Sequence, residues 1–87
     1  MYYVYLLKSK KRETIYIGYS SDLRKRILLH NSGKVPSTKD EKPWELIYYE
    51  AFKSKSDATN REKMLEYDGK ARTWLKKRNL IGLKGAA

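Results

Sequence analysis

The chain has 87 residues and no cysteine, which leaves room for one domain and excludes disulfides and thiolate metal sites. Twenty Lys and Arg against ten Asp and Glu give a net charge of +10. Ten cations and four acids fall in residues 1–44, ten and six in residues 45–87. No detachable tail carries the excess, so the balance points to a polyanion partner, most simply nucleic acid.

The first element is "YYVYLL", Tyr2–Leu7, whose aromatic and branched side chains suit a buried strand. Charges follow this apolar run rather than precede it, so it reads as part of the fold and not as a signal peptide. A polar loop, "KSKKRE", leads into a second strand, "TIYIGY", Thr14–Tyr19. Paired around a four-residue loop Ser9–Arg12, the two strands set Tyr5 opposite Tyr16 and Tyr3 opposite Gly18. Two phenols then project from one face, as a hairpin-stabilising aromatic pair or as working groups. Gly18 has no side chain to pack and marks a close approach of another group.

Ser20 or Ser21 is placed to cap a first helix, with Asp22 in its first turn and Gly33 just past its end. Leu23 and Ile27 form the inward stripe. Arg26 and His30 are four apart and share a face at its border. Arg24 and Lys25 make the same turn basic, so Arg26 reads either as part of a solvated patch or as a specific ligand group. His30, the only histidine, reads as a surface residue or as a site residue. "KVPSTKDEKPWE" is a loop marked by Pro36 and Pro43, and "ELIYYEAF", Glu45–Phe52, is a third strand.

A second helix follows, capped by Ser54 or Ser56, with Ala58, Leu65 and Met64 giving its apolar stripe. Glu62 falls in or beside that stripe. A carboxylate there needs an arginine partner or a hard cation such as Mg²⁺. After Gly69, "KARTWLKKRNL" predicts a last helix, and residues 81–87 a frayed tail. The order β-β-α-β-α-α implies an α+β fold, a small antiparallel sheet covered by helices, over residues 1–80. No apolar run is long enough to cross a membrane, and a cytoplasmic protein is expected.

Four segments in order carry a resemblance: Tyr3-Val4-Tyr5, Tyr16-Ile17-Gly18, the run Asp22 to Lys34, and Arg61-Glu62. With Arg26 ten residues after Tyr16, the chain resembles the GIY-YIG nuclease superfamily, in its small stand-alone, UPF0213-like branch. The resemblance implies a three-stranded antiparallel sheet with the first strand in the middle, flanked by helices. It implies endonucleolytic, metal-dependent cleavage of a DNA phosphodiester with one Mg²⁺ or Mn²⁺ ion held by Glu62, in DNA repair or processing. By the family pattern Tyr5, Tyr16, Arg26 and His30 are catalytic. Tyr5 is expected as general base in a cationic field that favours phenolate, Tyr16 as the group holding water or phosphate, and Arg26 as the phosphate clamp.

Gly18, Tyr19, Arg24, Lys25, Lys34 and Lys39 are candidate nucleic-acid contacts, with single-stranded or branched DNA as the expected partner. No membrane and no obligate protein partner is expected. The competing expectation is a non-catalytic nucleic-acid-binding module of the same fold. Three positions depart from relatives: Tyr19 stands where larger repair nucleases have lysine, Trp74 where many have asparagine, and Glu66 where this branch often has lysine.

Overall fold

The computed structural model describes residues 1–12 and 14–67. The expected last helix and tail lie outside the described residues. Three strands, β1 (Tyr2–Ser9), β2 (Ile15–Ser20) and β3 (Trp44–Phe52), form one antiparallel sheet in the order β2-β1-β3. The first strand is therefore central. Helix α1 (Leu23–Asn31) follows β2, and α2 (Lys55–Tyr67) follows β3.

The period-2 alternation of β1 divides the core in two. Val4 and Leu6 face α2 with Ile17, Ala58 and Leu65. Tyr5 and Leu7 face the other way, where Trp44, Leu23, Ile27 and Leu46 pack around them. The α2 face is sealed by apolar residues alone at its centre. The α1 face buries a phenol among them, and that difference marks where to look for chemistry. Met64, expected in the α2 stripe, is exposed.

The hairpin register differs from the expected one by two residues. Tyr5 lies opposite Gly18, and Leu7 opposite Tyr16. The reason is Ser9. It is a buried strand residue rather than the first loop residue, and its N–H donates to the Thr14 carbonyl at 2.9 Å. Its hydroxyl accepts from the N–H groups of Lys11 and Arg12, at 3.1 Å each. The turn thus begins one residue later on each side. A two-residue slip keeps face parity, so Tyr5 and Tyr16 still share the α1 face, now diagonally.

The start of α1 also differs. Its N-cap is Asp22, whose carboxylate accepts from Lys25 N–H at 3.1 Å, while Ser20 braces the Asp22 backbone from outside. The aspartate is the better cap because its charge also opposes the helix dipole. The C-terminus is as expected. Gly33 adopts φ 78°, and the N–H groups of Gly33 and Lys34 bond back to the carbonyls of His30 and Leu29, a Schellman closure. Strand β3 begins at Trp44 rather than Glu45, because Trp44 pairs with Ser9 at the end of β1; the Asn31 side chain bonds both its N–H and its carbonyl. The same asparagine ties the end of α1 to the head of β3.

Candidate active site

Tyr5 and His30 meet in the interior. Both have no exposed surface, and the Tyr5 hydroxyl is 3.0 Å from His30 Nε2. Of the two readings of His30, the surface imidazole is excluded: α1 is laid on the sheet so that its last turn points inward. Gly18 makes the arrangement possible. A Cβ on Gly18 would overlap the Tyr5 hydroxyl and Cζ and approach Tyr16 Cε2 to 2.8 Å. The close approach that glycine signals in this strand is that of the neighbouring tyrosine ring. Tyr16 is half-buried, its ring 4.8 Å from the imidazole and edge-on to it.

Behind His30 the chain of bonds continues. Nδ1 is 2.8 Å from the Thr38 hydroxyl, which in turn donates to the Val35 carbonyl at 3.4 Å. Each ring nitrogen thus meets one hydroxyl, that of Tyr5 at Nε2 and that of Thr38 at Nδ1. Thr38, with 2% of its surface exposed, sits in the loop before β3. Nothing in the local sequence pattern singles it out, because its partner is eight residues away across a loop.

Burial holds His30 down to about 4, with the Arg26 guanidinium acting in the same direction. The imidazole is neutral at pH 7. The unfolded chain binds that proton near pH 6.5, so between the two values acid favours unfolding. We expect about 3 kcal/mol of stability from this one group. It is fully present above pH ~6.5 and lost as pH falls toward ~4. Urea unfolding at several pH values and NMR titration of the single imidazole check this. Ordinary protonation near pH 6.5 would mean that His30 is solvated.

Tyr5 moves the opposite way from expectation. Burial pushes its phenol up to about 12, and the pull of Arg26 toward phenolate does not overcome it. The cationic field is present, but desolvation is the stronger effect in the free chain. Arg26 lies beside both phenols, and its own proton is held more firmly, chiefly by Tyr5. Its Nε is buried and has no hydrogen-bond partner among the described residues. A buried guanidinium N–H without an acceptor is uncommon, and an incoming phosphate oxygen is the kind of group that satisfies it. Arg24 and Lys25, on the same turn, are exposed.

Glu62 is half-buried on α2, and its carboxylate is close enough to oppose ionisation of Tyr5. Among the described residues it has neither a hydrogen bond nor an ion pair. Burial raises its pKa, and Glu66 one turn on adds to the effect. The arginine beside it in sequence is used elsewhere. Arg61 holds Glu50 of β3 through two bonds, 2.8 and 3.1 Å long. The arginine-partner reading of Glu62 thus fails within the described residues. Only Lys63 acts on it as a cation, without an ion pair among the described residues, and a carboxylate so placed suits a metal ligand. Among the described residues no group of three or more His, Cys, Asp or Glu side chains gathers to form an all-protein cage. A single carboxylate fits Mg²⁺, which keeps most of its waters and takes phosphate oxygens.

The other candidates are dispersed. Tyr19 lies on the α2 face, stacked on Tyr2 with ring centroids 6.3 Å apart. Lys34 and Lys39 are exposed in the loop after α1. A cavity of about 540 Å³ on the flank of α1 that bears Arg24 is lined by Tyr3, Leu28 and Tyr49 among others, and contains none of the five site residues.

Residues 1–79 match the GIY-YIG catalytic domain. The chain belongs to the GIY-YIG family. Within it, a UPF0213 protein of Staphylococcus saprophyticus is 42% identical over 62 residues, covering 70% of this chain and 74% of that one. A UPF0213 protein of Bacillus pumilus is 40% identical over 78 residues, 88% of this chain and 72% of that one. The solution NMR structure of a UPF0213 protein from Bacillus halodurans superposes with a TM-score of 0.57 at 30% identity, over 99% of this chain and 93% of that one. These relatives place the GIY-YIG chain in the UPF0213 branch. Among the described residues no helix is long and apolar enough to cross a membrane.

Proposed function

We propose that this chain is a divalent-metal-dependent endonuclease acting on DNA in the cytoplasm, with Tyr5, Tyr16, Arg26, His30 and Glu62 as its site. The observation that carries the reading is the buried Nε of Arg26, without a partner among the described residues and held beside two phenols and a neutral imidazole. Arg26 binds the scissile phosphate and neutralises charge on it as the pentacoordinate state forms. Glu62 would hold one Mg²⁺ or Mn²⁺ ion, which when bound would supply Lewis acidity to the phosphate chemistry.

Tyr5 is the general base, but not as a standing phenolate. Its O–H proton passes to His30 Nε2 as its oxygen accepts a proton from the attacking water, leaving an imidazolium and a neutral phenol. The phenolate never accumulates, and the imidazolium, which burial and Arg26 disfavour in the free chain, is stabilised once an anionic phosphate lies against Arg26. Tyr5 has no exposed surface in the free chain, so water reaches it only when substrate displaces side chains that cover it. Tyr16, on the half-exposed side, orients that water. The +10 charge and the exposed Arg24, Lys25, Lys34 and Lys39 draw the nucleic-acid backbone to the protein.

A panel of labelled single-stranded, duplex and flapped DNA and of RNA, incubated with Mg²⁺, Mn²⁺ or chelator, tests the reading. Cleavage of DNA that chelator abolishes is the expected result. Salt-sensitive binding without cleavage of any substrate would replace it with a non-catalytic binding module. Tyr5→Phe removes one oxygen and the donor to His30. It is expected to lower cleavage by ~10²-fold or more, the usual scale of a lost general base, with the fold retained. Wild-type rates from Tyr5→Phe would remove Tyr5 from the chemistry.

A further inference from the structure

Thr38 has three sets of bonds, and only one is dispensable to the loop. Its N–H donates to the Val35 carbonyl at 3.0 Å. Its carbonyl accepts from Glu41 N–H at 3.2 Å and from the buried indole Nε1 of Trp44 at 3.0 Å. These backbone bonds already shape the turn. The neighbouring turn is tied to β1 as well: the Ser9 hydroxyl donates to the Glu41 carbonyl, and Lys10 N–H donates to the Pro43 carbonyl. The side-chain hydroxyl adds only the weak 3.4 Å bond to Val35 and the short 2.8 Å contact with His30 Nδ1. A buried hydroxyl directed at an imidazole nitrogen is not needed for packing, since valine has the same shape.

We propose that Thr38 is a positioning residue for the site, selecting the Nδ1–H tautomer of His30. With that tautomer, Nε2 has a free lone pair and the Tyr5 O–H points to it. The Tyr5 oxygen then turns its own lone pairs toward Arg26 and the incoming substrate. In the other tautomer Nε2–H donates to Tyr5, and the phenol hydrogen is driven toward the Arg26 cation. The direction of the whole Tyr5–His30 bond is thereby decided by a residue that touches neither phenol nor phosphate. The second nitrogen of an imidazole sets the role of the first in the same way wherever histidine acts as a base. The catalytic consequence rests on the nuclease reading above; the tautomer assignment does not.

The chain has one histidine, so a long-range ¹H–¹⁵N spectrum of the imidazole at pH 7 reports it alone. The wild type is expected to show Nδ1 protonated and Nε2 bare. Thr38→Val is expected to shift the ring to the Nε2–H form, and Thr38→Ser, which keeps the acceptor, to restore the wild-type pattern. In the cleavage assay Thr38→Val is expected to lower kcat ~10²-fold with KM within about twofold, and Thr38→Ser to recover most of it. An Nε2–H wild type overturns the proposal without any variant, as does Thr38→Val keeping Nδ1–H. A loss of kcat without a change of tautomer also overturns it, in favour of a structural role. If the wild type cleaves nothing, the tautomer switch alone still supports Thr38 as the residue that orients His30, and it is the nuclease reading that falls.

Discussion

Arg26→Ala is expected to lower cleavage by ~10²–10³-fold, the usual cost of one lost transition-state donor, while Arg24→Ala changes it by less than about threefold. Both belong to one basic turn and both carry the same charge, so any long-range attraction for DNA is shared. The difference is position. Arg26 lies beside Tyr5 and Tyr16 with a buried Nε that has no acceptor among the described residues, whereas Arg24 is exposed. Removing Arg24 takes away a screened surface charge, whose effect is on encounter and on salt dependence. Single-turnover rates at saturating DNA separate the two effects. Equal, small losses at both positions would show that the turn is only a solvated basic patch. Arg26→Lys is expected to recover little, because an ammonium lacks the planar pair of donors that fits phosphate.

Glu62→Gln is expected to reduce cleavage to background at every Mg²⁺ concentration, with metal-free DNA binding unchanged or slightly tighter. The amide keeps the shape and helical tendency of the side chain but loses the charge a hard cation requires. The fold is expected to hold. Among the described residues Glu62 has no arginine to leave stranded, and burial and Glu66 already work against its charged form. Arg61→Gln, its neighbour, is the contrasting control. That change breaks the two-bond pair with Glu50 and leaves a half-buried carboxylate with only the Tyr48 hydroxyl, so it is expected to lower the melting temperature. A Glu62→Gln protein that melts early yet cleaves in proportion to its folded fraction would remove the metal-ligand role.

Local sequence determined what depends on neighbours a few residues apart. Arg26 and His30 share a face because a helix repeats every 3.6 residues. "HNSGK" ends that helix because Gly33 alone accepts the left-handed turn cheaply. Tyr5 and Tyr16 share a face of the sheet whatever the hairpin length, provided the slip is even, and the half-burial of Glu62 follows from its place between Ala58 and Leu65. The tertiary structure decided everything that joins distant segments. Whether the turn starts at Ser9 or one residue later rests on a hydroxyl that caps two N–H groups and a buried contact with Glu41, none of which periodicity expresses. The Tyr5–His30 bond spans 25 positions, and Arg61 rather than Glu62 takes the ionic partner because Glu50 arrives from β3. The burial that raises Tyr5 and lowers His30 is likewise a property of the assembled interior. Both types could have stood exposed in the same sequence pattern, and only the packing of α1 and Trp44 over Gly18 and Tyr5 removed them from water.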